Sequence, residues 1–193
     1  MKWTDLPTSP VLPTLTESQR ERLSTASRLL CASAGSAHEA MVAIDASVHA
    51  RVLAQLRASR LEQGGLLLGI PYGEPGNTGE PVAIEVIAAV AADDASGTGY
   101  SLRMAAAVWS DANARLRDLR VQRGGGTDDC RVVGWYHSHP GLGAFFSATD
   151  CATQRAFFHH PWSIGWVIDP SDDTHACFIG ADSSAVGRCL LIG

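Results

Sequence analysis

Between Arg131 and Asp150 the chain runs RVVGWYHSHPGLGAFFSATD, and few folds accommodate that order of residues. Arg131 to Tyr136 is a short apolar segment of β-branched and aromatic residues, which predicts a strand. Side chains two apart on a strand share a face, so His137 and His139 leave the sheet together at its end. Pro140, Gly141 and Gly143 then require a loop, and a helix expected over 148–158 carries Asp150 back towards the histidines. Two imidazoles and a carboxylate make a three-donor set for zinc, with water in the fourth position.

Singly, each of these residues has a plainer role. Two histidines in a strand are usually ordinary half-buried side chains, and an aspartate near a helix start is usually a cap. Their joint placement within 14 positions is what points to a metal site at His137, His139 and Asp150. Ser147, three residues before Asp150, can donate its hydroxyl beside the metal or cap the following helix. It does both only if different atoms serve the two roles. Hydrolysis of an amide also needs a proton carrier and an oxyanion donor, and this stretch has no spare carboxylate.

The rest of the chain bounds the class. At 193 residues it suits one domain with an appendage, and 46% hydrophobic against 18% charged residues excludes disorder. A net charge of −5 gives no nucleic-acid footprint. No apolar run reaches the roughly 18 residues that span a bilayer, and the N-terminus has no secretory apolar core. Cys31, Cys130, Cys151, Cys177 and Cys189 form no CxxC pair, so reduced thiols in a cytoplasmic protein are expected.

Residues 1–38 read as an extension: a proline-marked arm, then a Thr16/Gln19 capping box opening an amphipathic helix over 17–32, then a linker over 34–37. The main domain is expected over 39–193. Its strands are predicted at 42–44, 61–70, 82–91, 163–168, 177–179 and 188–192, with a turn over 71–79. Helices are expected after Asp45 or Ser47, with Val48, Val52, Leu53 and Leu56 inward, and after Ser101, with Ala105, Trp109, Ala112, Leu116 and Leu119 as a stripe. Gly124 to Gly126 should be a loop. This order predicts an α/β or α+β domain, a mixed sheet flanked by helices. Trp109, Trp135, Trp162 and Trp166 are expected in the core.

Three segments together, Glu62-Gln-Gly-Gly-Leu-Leu-Leu-Gly69, Gly134-Trp-Tyr-His-Ser-His-Pro-Gly141 and Ser147-Ala-Thr-Asp150, resemble the JAMM (MPN+/JAB) metalloprotease family. Its pattern, a distant Glu with H-x-H-x7-S-x2-D, is met without gap or substitution, and the similarity covers about 41–170. The resemblance implies a cytidine-deaminase-like fold, one catalytic Zn2+ on His137, His139 and Asp150, Glu62 as general acid/base and Ser147 as oxyanion stabiliser. Without it, Glu62 reads as a solvated charge at a strand edge.

The text around the ligands is similar to the deubiquitinating branch: proteasome-lid, signalosome and AMSH-type enzymes. It implies an isopeptidase acting on a ubiquitin-like protein or its conjugates, in a bacterial chain with E1/E2-like operon partners. Alternatives are a sulfur-carrier protein or small peptide as substrate, or a non-catalytic scaffold. AMSH-type relatives carry a second zinc, but His159, His160, His175, Cys151 and Cys177 show no comparable spacing and are expected to be structural or surface residues. Gly141, Gly143, Phe145 and Phe146 either shape a narrow channel for a Gly-Gly tail or let the loop turn.

Overall fold

Leu66, Leu67 and Leu68 are all fully buried, which a strand achieves only when both its faces are covered. The computed structural model describes residues 11–33, 38–76, 79–92, 106–123 and 129–193. In chain order the elements are α1 (Glu17–Ser24), β1 (Arg28–Ala32), β2 (His38–Asp45), α2 (Ala46–Arg57), β3 (Gly64–Gly73), β4 (Pro81–Ala91), α3 (Ala106–Gln122), β5 (Arg131–Ser138), α4 (Ala148–Phe157), β6 (Ile164–Asp169), β7 (Thr174–Ile179) and β8 (Ser184–Ile192).

The strands form one mixed sheet in the order β1-β8-β2-β4-β3-β5-β6-β7. β2 runs parallel to β4 and β8, and β5 parallel to β6; the other pairings are antiparallel. A further pairing of β7 with β8, through Phe178↔Ala185 and Ile179↔Ser184, curls the sheet round on itself.

Period-two alternation, shifted in β5 by a bulge at Val133, divides the core. Leu67, Val133, Tyr136 and Trp166 face the side covered by Val48, Val52, Leu53 and Leu56 of α2. Leu66, Leu68 and Trp135 face the side covered by Val108, Ala112, Leu116 and Leu119 of α3. Trp135, Trp162 and Trp166 are buried as expected, and Trp109 is half-buried. The Asp45 carboxylate caps α2 by accepting from the Ser47 amide at 2.8 Å. The expected cap at Ser101, the residue Ala105, the 34–37 linker and the glycine loop at 124–126 lie outside the described residues.

β2, β7 and β8 start three or four residues earlier than expected, at His38, Thr174 and Ser184, and β3 spans Gly64–Gly73 in place of 61–70; two differences change the reading of the chain. The capping box at Thr16 and Gln19 forms, but α1 ends at Ser24 and residues 28–32 are a strand. Ser24 and Thr25 turn their hydroxyls back onto the carbonyls of Glu21 and Arg22, a local bonding that competes with helix continuation. β1 then pairs with the otherwise open edge of β8. Residues read as an extension thus supply a strand of the sheet. The second difference is Pro71, predicted in a turn but lying inside β3 opposite Ile84. The Gly73 amide donates to the Pro13 carbonyl at 3.0 Å, so Pro71, two residues earlier, turns its missing donor to the same side. β5 has ended there, its last pair with β3 being Gly69↔Arg131, and the ladder loses no bond.

Candidate metal centre

β5 delivers both histidines. His137 ends its pairing with β3 opposite Gly64, and the His139 amide donates to the Ile168 carbonyl at 3.0 Å. The two Nε2 atoms stand 3.2 Å apart. Asp150, the third residue of α4, places Oδ1 at 3.2 Å from His137 Nε2 and Oδ2 at 3.6 Å from His139 Nε2. Donors about 2.0–2.1 Å from one ion in a tetrahedron lie roughly 3.3–3.4 Å apart. The observed separations match that edge, and the three residues are buried. The set fits zinc.

Burial resists ionisation of Asp150, but the His137 ring and the Ser147 hydroxyl and amide outweigh it and hold its carboxyl at about 2. Burial and the neighbouring His137 push the His139 imidazole down. A carboxylate and a neutral imidazole are the ligand forms a metal requires. The planes of Trp135 and His137 stack at 4.5 Å and 9°, and Phe145 packs on His139 at 4.8 Å, so aromatic faces fix both rings.

Glu62 reaches the site from the opposite strand. It lies two residues before β3 and 75 positions before His137, with Oε1 at 3.7 Å from His139 Nε2. Burial pushes its carboxyl up; the His137 ring opposes this and the charge of Asp150 adds to it. A carboxyl shifted towards neutrality suits a group that takes and returns a proton.

Ser147 is the N-cap of α4. Its Oγ accepts from the Asp150 amide at 3.2 Å, and its own amide donates to Asp150 Oδ2 at 2.7 Å. The cap uses a lone pair of the hydroxyl, while the hydroxyl's hydrogen, which the cap does not use, helps to stabilise the Asp150 carboxylate. Capping by itself therefore does not bar an oxyanion role for Ser147.

A family model of prokaryotic homologs of the JAB domain matches residues 45–177, more than half of the chain. The chain belongs to the JAB/MPN+ family. Its relatives include the 26S proteasome regulatory subunit RPN11 of Eremothecium gossypii, 42% identical over 76 residues, covering 39% of this chain and 22% of the relative. The ubiquitin carboxyl-terminal hydrolase RPN11 of Saccharomyces cerevisiae is 41% identical over 76 residues, covering 39% and 23%. COP9 signalosome complex subunit 5 of Caenorhabditis elegans is 52% identical over 42 residues, covering 21% and 11%. The JAB chain thus spans less than a quarter of the length of these relatives. The solution structure of protein DSY2949 from Desulfitobacterium hafniense shares the fold, at a TM-score of 0.54 and 20% identity over 78% of this chain and 92% of that one.

Three residues of the JAB site had no role assigned from the sequence. Ser138, between the two histidines, faces away from them, accepts from the Gln63 amide at 3.1 Å and donates its own amide to the Gln63 carbonyl at 2.9 Å. That clasp sets the position of Glu62, and strand alternation alone could have signalled it. Asp169, at the end of β6, accepts the amides of Gly141 at 2.9 Å and Gly143 at 2.8 Å, both glycines having positive φ. Of the two readings given for these glycines, the turn is thereby accounted for. Gln154 of α4 is wholly buried, accepting from Trp135 Nε1 at 2.7 Å and donating to the carbonyls of Phe158 and Ser163. Beside it Gly165 leaves room for Phe146, since a Cβ there would stand 2.2 Å from the Phe146 ring.

Proposed function

We propose that this JAB domain is a zinc-dependent peptidase that cuts the bond after the C-terminal glycine of a ubiquitin-like protein, in an isopeptide conjugate or a precursor. The observation that carries this reading is Glu62. A carboxylate 3.7 Å from a metal-donor nitrogen, beside a donor set already complete without it, is free to handle protons. A scaffold has no use for such a group.

Zinc held by His137, His139 and Asp150 would supply a Lewis acid able to lower the pKa of a water from about 15.7 to about 7. Glu62 takes a proton from the attacking water as the new carbon–oxygen bond forms. Ser147 donates its hydroxyl to the developing oxyanion. As the carbon–nitrogen bond breaks, Glu62 returns the proton to the leaving amine, which would otherwise depart poorly. Trp135, stacked on His137, keeps water from behind that ring.

The substrate class is supported by the rim. Leu142 and Phe145 are exposed in the loop following His139, and Leu61 is exposed beside Glu62. Exposed apolar side chains around a polar centre suit an extended protein tail. A glycine tail brings no side chains to clash with such a rim. E1/E2-like enzymes that attach the same ubiquitin-like protein would then make the conjugate this domain removes.

The test is cleavage of a ubiquitin-like–lysine conjugate and of a C-terminally extended ubiquitin-like precursor by wild type and by Glu62→Ala. Cleavage lost only in the variant is expected. Equal cleavage by both proteins overturns the role of Glu62. No cleavage by zinc-loaded wild type across ubiquitin-like, sulfur-carrier and short-peptide substrates supports a scaffold instead.

A further inference from the structure

Among the described residues one other trio of potential metal donors converges: His49 on α2, Asp173 in the β6–β7 turn and His175 on β7. It shares no residue with the His137–His139–Asp150 set. Asp173 Oδ1 lies 3.2 Å from His175 Nε2 and 4.0 Å from His49 Nε2, and all three donor atoms fall within 4.8 Å. His49 and His175 are each 8% exposed.

The plain alternative is a hydrogen-bonded staple. His175 can donate one Nε2–H to Asp173, and that bond needs no ion. It leaves His49 unexplained. His49 Nε2 is buried, aims at the same carboxylate oxygen and has no hydrogen-bond partner. Buried polar nitrogens are rarely left so. The far oxygen of Asp173 is taken by Arg28 at 2.9 Å, which turns Oδ1 towards the two imidazoles as outer partners of metal-binding carboxylates do. Trp166 stacks near both rings, at 6.0 Å from His49 and 5.7 Å from His175. Burial pushes both imidazoles down, with Arg28 and Arg57 adding to it at His49 and His49 and Arg28 at His175, while Asp173 acts the other way.

We propose that His49, Asp173 and His175 form a second metal site, which takes a borderline divalent ion such as zinc with water in the fourth position. Separations of 3.2 and 4.0 Å bracket the roughly 3.3–3.4 Å edge of a zinc tetrahedron, so small side-chain rotations close the set. The ion ties α2 to the β6–β7 turn.

Zn2+ and Co2+ binding to the full chain tests this, with metal content, the Co2+ visible spectrum and Tm as readouts. Wild type should bind two equivalents. His137→Ala/Asp150→Ala should retain one, with tetrahedral Co2+ bands and a Tm rise of about 5–10 °C at a hundredfold excess over Kd. His49→Gln/His175→Gln should retain the other equivalent and its peptidase activity. A single equivalent in wild type, or no Co2+ binding by His137→Ala/Asp150→Ala, overturns the proposal. The latter measurement leaves His49 and His175 intact, so it decides the matter even if the histidine variant fails to fold. Loss of peptidase activity on every substrate would leave the two-equivalent result standing.

Discussion

In the proposed mechanism Glu62 and Ser147 act on the same bond in different ways, and substitution separates them. Glu62→Gln keeps the shape and removes the base; kcat should fall about 10²–10⁴-fold with zinc content unchanged by metal analysis. Ser147→Ala removes a cap and an oxyanion donor together, so it should lose about 1 kcal/mol of stability and about 10²–10³ in kcat. Ser147→Gly distinguishes the two losses, since glycine caps nearly as well as serine. Its urea midpoint should stay close to wild type while kcat stays low; a recovered kcat would show that Ser147 only caps. At this scale the convergence of His137, His139 and Asp150 was legible, because strand alternation and a short loop are local. Glu62 was not legible from its own surroundings. It meets the histidines through β3–β5 pairing across 75 positions, and only the spaced family pattern pointed to it. Ser138 escaped notice because its role lies on the face that the histidines leave.

The loop between β5 and α4 is held by one carboxylate. Burial opposes ionisation of Asp169, but the amides of Gly141, Gly143 and Ser171 outweigh it and hold the carboxyl at about 2. Its folded value lies below the unfolded value of about 3.9. The stability it contributes is therefore complete above about pH 4 and disappears as pH falls through about 2. Asp169→Asn should cost about 1–2 kcal/mol at pH 7 and flatten the decline between pH 4 and 2, as read from urea midpoints. Gln154→Leu should cost more, about 2–4 kcal/mol, because Trp135 Nε1 and two buried carbonyls lose their partner. Strands and helices with strong periodicity were legible in the sequence, down to the Asp45 cap. The misjudged boundaries at Ser24 and Pro71 were decided by partners distant in sequence. β8 recruits residues 28–32, and the end of β5 makes room for a proline in β3.

For the whole molecule the sheet is the frame, and its mixed order could be anticipated only as a class. The curl that brings β7 back to β8 depends on a hairpin turning through Gly180-Ala-Asp-Ser183, a local signal that does not say which strands will meet. Among the described residues no helix is long and apolar enough to cross a membrane. Removal of metal by a chelator should lower Tm, and zinc at a hundredfold excess over Kd should restore about 2.7 kcal/mol per site. Differential scanning calorimetry with and without metal measures this directly.

The pairing of β3 with β5 has a last consequence. Capture of the ion needs only β5, one loop and α4, all within a short length of chain, whereas cutting needs Glu62 brought across from β3. On the proposed mechanism, a partly folded copy would bind the ion before it could cut. In mild denaturant, hydrolysis should cease at a concentration where zinc is still fully held.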